Sequence, residues 1–257
     1  MTGERIERAL RDAGLSKSDV ATLQRRLVLK RGLSLGALTL LSGCDVVTNT
    51  APVDGFLRMI SRFNDGVQGA LFNPDKLAPT FPESMVPAMF RYNAQYGPEK
   101  IHKINPDTWR LEVSGLVADK AAWTLERLKT LPQRADVTRH CCVEGWSMIG
   151  KWGGVPLRTF LEKVGADIGA KYVAFRCDDP IDYTTSIDMA SARHPQTIMA
   201  LTYADKPLEA IFGAPMRVKI PTKLGFKQPK FVASIHVTND YPGGYWEGYG
   251  YNWFAGL

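Results

Sequence analysis

Downstream of residue 108 the apolar positions fall in short runs that end at Gly, Pro, Asp or Asn, a pattern of brief strands and turns. Residues 109–115 alternate apolar and polar side chains, as a half-buried strand does. Thr124 followed by Leu125, Leu128 and Leu131 predicts a capped short helix that stops at Pro132. Residues 136–143 predict a strand, residues 144–154 a long turn, and residues 157–164 a helix. Further strands are expected at 172–177, 181–186, 197–203, 216–220 and 231–238. Helices are few and short, and neither an internal repeat nor a βαβ dinucleotide fold is visible. A mixed, mainly antiparallel α+β domain fits this pattern.

The chain before that domain differs. Residues 71–108 carry Pro74, Pro79, Pro82, Pro87, Pro98 and Pro106, so an extended segment wrapping the domain surface is expected. Residues 45–70 are polar and small, without sustained period, and read as a tether. The expected organisation is a signal segment at 1–43, a tether at 44–70 and one domain at 71–257.

Charge changes the picture little. The sequence pI is about 9.1, but residues 1–43 hold eight Lys/Arg and four Asp/Glu, which leaves 24 basic and 22 acidic residues in the remainder. That balance is too even for a footprint on a phosphate backbone, so no nucleic-acid partner is expected. The N-terminus reads as an address. Gln24-Arg25-Arg26-Leu27-Val28-Leu29-Lys30 resembles the twin-arginine export motif, with Gln in place of the leading hydroxyl residue and Val in place of Phe. A short apolar run at 33–41, too short to span a bilayer, leads to Leu41-Ser42-Gly43-Cys44, which resembles a bacterial lipobox with Cys44 acylated. By that resemblance Arg25 and Arg26 engage the twin-arginine export machinery. The mature protein would then sit on the periplasmic side of the cell envelope, lipid-anchored to the cytoplasmic membrane.

The four cysteines are Cys44, Cys141, Cys142 and Cys177. With Cys44 lipidated, three remain in an oxidising compartment, an odd number. Successive residues on a strand face opposite sides, so Cys141 and Cys142 cannot share one pocket. The spacing suits no tetrahedral zinc site, and no local signature supports a Cys/His nucleophile with His140, His194 or His236. Buried structural thiols remain an alternative on this arithmetic.

The run His140-Cys141-Cys142-Val143-Glu144-Gly145-Trp146-Ser147 resembles the Cys-Val-Glu-Gly/Ala-Trp-Ser motif of the molybdopterin-dependent sulfite oxidase superfamily. Within it, the closest likeness is to catalytic subunits of the periplasmic peptide-methionine-sulfoxide reductase system. The likeness continues through Trp152-x-Gly-x-Pro156-Leu157, His194-Pro195, Gly213-Ala214-Pro215-Met216-Arg217-Val218 and Gly225-Phe226-Lys227 to the Gly- and aromatic-rich end. It implies an α+β fold, a mainly-β sulfite-oxidase-type molybdopterin-binding domain with short helices, acting as an oxidoreductase with one molybdenum–molybdopterin per chain.

By this resemblance Cys142 is the catalytic residue and metal ligand, and Cys141 points away. A soft thiolate suits a metal already held by dithiolene sulfurs. The resemblance places the cofactor phosphate near Arg217, Lys223, Lys227, Gln228 and Lys230, and pterin contacts in the loop of Arg91, Asn93 and Gln95. Cys177 stands where the reductase has Thr near the cofactor, and Phe212 where it has Asn. His140 is a cofactor donor or a structural histidine. Glu144 is expected to brace the turn, Trp146 and Trp152 to pack around the pterin, and Tyr241, Tyr245 and Tyr249 to rim the mouth. The Gly-Asn-Arg-Arg of animal-type sulfite oxidases and a CxxCH haem motif are both missing. Electrons are therefore expected from a separate partner, in the resembled system a membrane haem protein, with this chain a monomer. The implied reaction is reduction of an S-oxide. Sulfite-type oxidation, or a cofactor-free binding lipoprotein, are the alternatives.

Overall fold

The computed structural model describes residues 51–257, apart from residue 102; the export motif and Cys44 lie outside the described residues. The chain divides into two units, residues 1–60 and 61–257, and the fold described below is that of the second, apart from residues 51–60, which begin a helix that continues into it.

The strands form two sheets. One has four strands, in the order β1 (Glu112–Gly115), β9 (Val232–Thr238), β4 (Tyr172–Cys177) and β5 (Thr184–Asp188). The other has β2 (Arg134–Cys141), β3 (Ser147–Pro156), β6 (Ile198–Tyr203) and β7 (Lys206–Pro207), with β8 (Arg217–Lys219) also pairing β6. Every pairing is antiparallel except β1 with β9, as the sequence pattern predicts for a mainly antiparallel α+β domain. The helices are short: α2 (Leu125–Lys129), α3 (Leu157–Lys163), α4 (Met189–Arg193) and α5 (Tyr245–Gly248), after a longer α1 (Ala51–Leu71). Thr124 caps α2 by accepting from the Arg127 amide, as its position before the leucines predicts.

β6 explains how one strand serves two cores. Met199 and Leu201 face the main apolar cluster, which includes Trp123, Phe160, Val173, Phe175 and Ile235. Ile198 and Ala200 face a second cluster with Phe90, Trp152, Tyr203 and Phe212. A strand covered on both sides reads as a continuous apolar run. The proline-rich segment lies extended on the domain. Buried Gln196 exchanges two hydrogen bonds with the Ala78 backbone, and the Tyr203 hydroxyl donates to the Pro87 carbonyl at 2.8 Å.

Two expectations are corrected. The long turn at 144–154 is mostly strand: Ser147 onward pairs with β2 residue for residue, and only 142–146 turn. Glycines at 150, 153 and 154 suggest a loop, but two are placed by crowding. Side chains there would strike Trp152 and Tyr203 (Gly150) or the Met199 carbonyl (Gly154). Residues 51–71 are helical where a tether without period is expected, because Phe56, Met59, Ile60, Phe63, Val67 and Leu71 recur at helical spacing.

Gly154 sits at a register shift between β3 and β6. Gly154→Ala should destabilise the domain by about 2 kcal/mol or more, because backbone must move to admit the methyl group. Urea unfolding followed by circular dichroism would measure this; an unchanged midpoint would contradict the packing described.

Candidate active site

The β2–β3 hairpin closes through a tight turn. The Cys142 amide donates to the Trp146 carbonyl (2.9 Å) and the Gly145 amide to the Cys142 carbonyl (3.2 Å). Gly145 takes φ +87°, the left-handed conformation that ends a three-residue hairpin loop. The Glu144 carboxylate accepts from Trp146 Nε1 at 2.8 Å and braces the turn. The neighbouring thiols diverge. Cys142 lines a cleft of about 230 Å³, whereas Cys141 lines a separate cavity of about 610 Å³ among Phe72, Leu77, Phe81 and Arg139. Both are free thiols, and burial pushes that of Cys142 up.

Four segments wall the cleft. Asn93, Ala94, Gln95 and Tyr96 come from the proline-rich segment, Asp179, Ile181 and Tyr183 from the β4–β5 connection, Gly225, Phe226, Gln228 and Lys230 from the loop after β8, and Trp246 and Tyr251 from the C-terminal segment. Asp179 fixes two of these walls to each other. It accepts from the Tyr96 hydroxyl at 3.2 Å and from the amides of Ile181 and Tyr183. The Tyr183 hydroxyl donates to the Phe226 carbonyl and ties in a third.

Behind the cleft lies an unusual charge arrangement. Arg217 and Lys219, alternate residues of β8 and therefore on one face, are about 1% and 2% exposed. Neither has a carboxylate partner among the hydrogen bonds and ion pairs of the described residues. Arg217 donates one bond, to the Phe212 carbonyl at 3.0 Å, and its Nε and second terminal nitrogen have no acceptor. Both cations lie over Trp152, at 4.6 and 4.8 Å from its ring centre. Lys219 Nζ is 2.9 Å from His140 Nδ1, and the same nitrogen is 3.3 Å from Gln228 Oε1. Lys230, at the cleft wall, donates to the Asn93 carbonyl at 2.6 Å. Burial lowers all three cations: Arg217 to about 9, Lys230 to about 7, and Lys219 well below its ordinary value. Burial, with Lys219 and Arg217 beside it, also holds His140 neutral.

The structure thus brings together Asn93, Gln95, Cys142, Gln228 and Lys230 at the cleft, with His140 and Arg217 behind it. Arg91 stands outside the lining, its guanidinium 4.8 Å from the Trp146 ring centre. Cys177 is fully buried in the main core, where burial raises its thiol well above the usual value. Lys223 is not at the cleft: it pairs with Asp188 at 3.2 Å, its ammonium 3.0 Å from the Phe254 ring centre. Lys227 pairs with buried Glu247. At the mouth stand Trp246 and Tyr251; Tyr241 packs instead on Tyr172 and Trp253. Lys219, Asp179, Tyr183 and Tyr251 are additions. Strand alternation from Arg217 signals Lys219; the others depend on long-range packing and have no local signal.

Among the described residues no three His, Cys, Asp or Glu side chains converge to hold a metal ion unaided. A metal here would rest on one thiolate plus ligands brought by a cofactor. The unsatisfied guanidinium nitrogens and the carboxylate-free cations fit an anionic group on that cofactor.

Comparisons agree with this chemistry. Residues 98–246 match the oxidoreductase molybdopterin binding domain. The chain is 53% identical, over 97% of its length and 95% of the relative's, to a provisionally named protein-methionine-sulfoxide reductase subunit, YedZ1, of Azospira oryzae. It is 31% identical to the protein-methionine-sulfoxide reductase catalytic subunit MsrP of Campylobacter jejuni, covering 56% of this chain and 54% of that one. The chain spans about half the length of the MsrP relatives it matches. The sulfane dehydrogenase SoxCD of Paracoccus pantotrophus shares the fold, with a TM-score of 0.52 at 19% identity over 55% of this chain and 40% of that one.

Depressed lysine and arginine values carry a stability consequence. Between the folded and ordinary values the unfolded chain binds more protons, so stability rises with pH. For Lys230 that window runs from about 7 to its ordinary 10.5. Cofactor-free protein should therefore melt at higher temperature at pH 9 than at pH 7, and Lys230→Met should flatten the rise. A melting profile that falls over this range would contradict the charge arrangement.

Proposed function

The chain belongs to the oxidoreductase molybdopterin-binding domain family, and on that premise we propose that it reduces an S-oxide-type substrate, such as protein methionine sulfoxide, with molybdenum–molybdopterin held through Cys142. What carries the reading is a single thiol in the lining of a cleft backed by buried cations without carboxylates. When bound, the cofactor supplies two-electron oxygen-atom transfer. The overall reaction consumes the S-oxide, two electrons and two protons, and yields the sulfide and water.

The chain's own residues divide the remaining work. Cys142 is the metal ligand. Arg217, Lys219 and Lys230 neutralise the anionic end of the cofactor, with Gln228, Asn93 and neutral His140 offering hydrogen bonds around it. Gln95 lines the cleft beside them, whereas Arg91 packs on Trp146, Cys177 sits in the main core, and Lys223, committed to Asp188, contributes to the fold. Phe226, Trp246 and Tyr251 shield the reacting centre from water and offer aromatic surface to a thioether-like substrate.

Charge at the cleft favours the sulfoxide over sulfite. Glu144 and Asp179 line it against the single cation Lys230, and the arginine pair of animal-type sulfite oxidases is missing. A neutral S-oxide meets no repulsion there, whereas an oxyanion does. Electrons would come from a separate partner, a membrane haem protein in keeping with the sulfoxide reductase likeness. The chain would work as a monomer on the periplasmic side, exported through Arg25 and Arg26 and anchored by acylated Cys44.

Protein purified from its native host should contain molybdenum near one per chain. Cys142→Ala should lose the metal signal in electron paramagnetic resonance, while Cys141→Ala keeps it; the reverse pattern would assign the wrong thiol. With a reduced artificial carrier the enzyme should turn over methionine sulfoxide. Turnover of sulfite alone, in the oxidising direction, would overturn the substrate assignment.

A further inference from the structure

Helix α1 is docked the wrong way round for an aqueous protein. An amphipathic surface helix ordinarily buries its apolar stripe and shows water its polar face. Here the polar face carries the packing: Asp65 accepts from Asn252 Nδ2 (2.7 Å) and the Phe254 amide (3.1 Å), and Gly69 lies close to the Phe254 ring. The apolar stripe points outward. Phe63 is 67% exposed and Leu71 81%, and at about 100° per residue Phe56, Met59, Ile60 and Val67 fall with them inside an arc of about 120°.

We propose that this stripe lies in the headgroup–acyl boundary of a lipid bilayer, with α1 parallel to the surface. The helix is 21 residues long but carries Asp54, Arg58, Arg62 and Asp65, and no described helix is long and apolar enough to cross a membrane. Such a helix rests on a bilayer and does not span it. The position of the undescribed chain selects lipid as the occupant. Only residues 45–50 separate α1 from Cys44, a reach of at most roughly 25 Å, so an acyl group on Cys44 would hold the helix at the membrane. Beyond Leu71 the apolar surface continues into the Cys141 cavity, where Lys76 and Arg139 supply cations suited to anionic headgroups. The inference rests on the membrane-side reading above, but does not need acylation itself.

The test uses the full chain carrying Cys44→Ser, which removes acylation, and vesicles of phosphatidylethanolamine and phosphatidylglycerol in equal parts. Phe63→Ser with Val67→Ser, both at exposed positions, should reduce co-sedimentation at least about tenfold, given the apolar area removed. In a Phe63→Trp variant the fluorescence of the introduced indole should be quenched by lipids brominated in the acyl chains. Equal sedimentation of the parent and the serine variant, with the introduced indole unquenched, would overturn the proposal. So would a concentration-dependent dimer broken by the same serines, which would make a second copy the occupant. An introduced indole already shielded without vesicles would assign the stripe to residues 1–50 and likewise overturn it. Mass spectrometry of the native protein reads Cys44 acylation separately, so failure of the anchor and failure of the helix are distinguishable.

Discussion

Two cations buried on one face of β8 set the terms for the rest of the site. Removing a charge from water costs several kcal/mol even after the surroundings relax, and a carboxylate is the usual remedy. Arg217 and Lys219 have none; they have the face of Trp152, a carbonyl and a neutral histidine. Aromatic faces return part of the cost, on the order of 1–2 kcal/mol each when desolvated. The remainder is left for an anion, and the aromatic cluster of Phe90, Trp152, Tyr203 and Phe212 holds the cations ready for it.

The hairpin that carries Cys142 is joined to this arrangement through Trp152 on β3, which lies under both cations, and through His140 on β2. His140, on β2 two positions before Cys142, packs against Phe90 and Trp146, and touches Lys219 and Gln228. The imidazole therefore couples the strand bearing the thiol to the strand bearing the cations. Gly225 has no side chain where one would collide with the imidazole, so the loop can close over it. The Cys142 thiol and the buried cations are positioned by the same packed core.

Much of the fold is legible in the sequence because strand periodicity and helix capping are local signals. The run 172–177 is a strand with those limits, and Thr124 caps α2. The turn expected at 144–154 is too long because glycines there answer to tertiary crowding, from Trp152 and Tyr203 at Gly150 and from β6 at Gly154. Helix α1 has apolar positions at helical spacing, but Pro52, Gly55, Gly66 and Gly69 interrupt the run and read as loop. The sequence also groups Lys223 with the other basic residues, though its ammonium is consumed by Asp188.

What the sequence alone determined is the class of the domain, the family likeness and the two-sided fate of the paired cysteines. The last was expected from strand alternation, and the thiols do diverge, although β2 ends at Cys141 and Cys142 opens the turn. Only the tertiary structure decided which lysines stand together behind the cleft, that Trp246 and Tyr251 form its mouth, and that α1 turns its apolar face outward. Each depends on segments far apart in the chain meeting in space: β8 against β2, the C-terminal segment against the β4–β5 connection, Asp65 against Asn252. Local periodicity records which face of an element is apolar; it does not record what that face will meet.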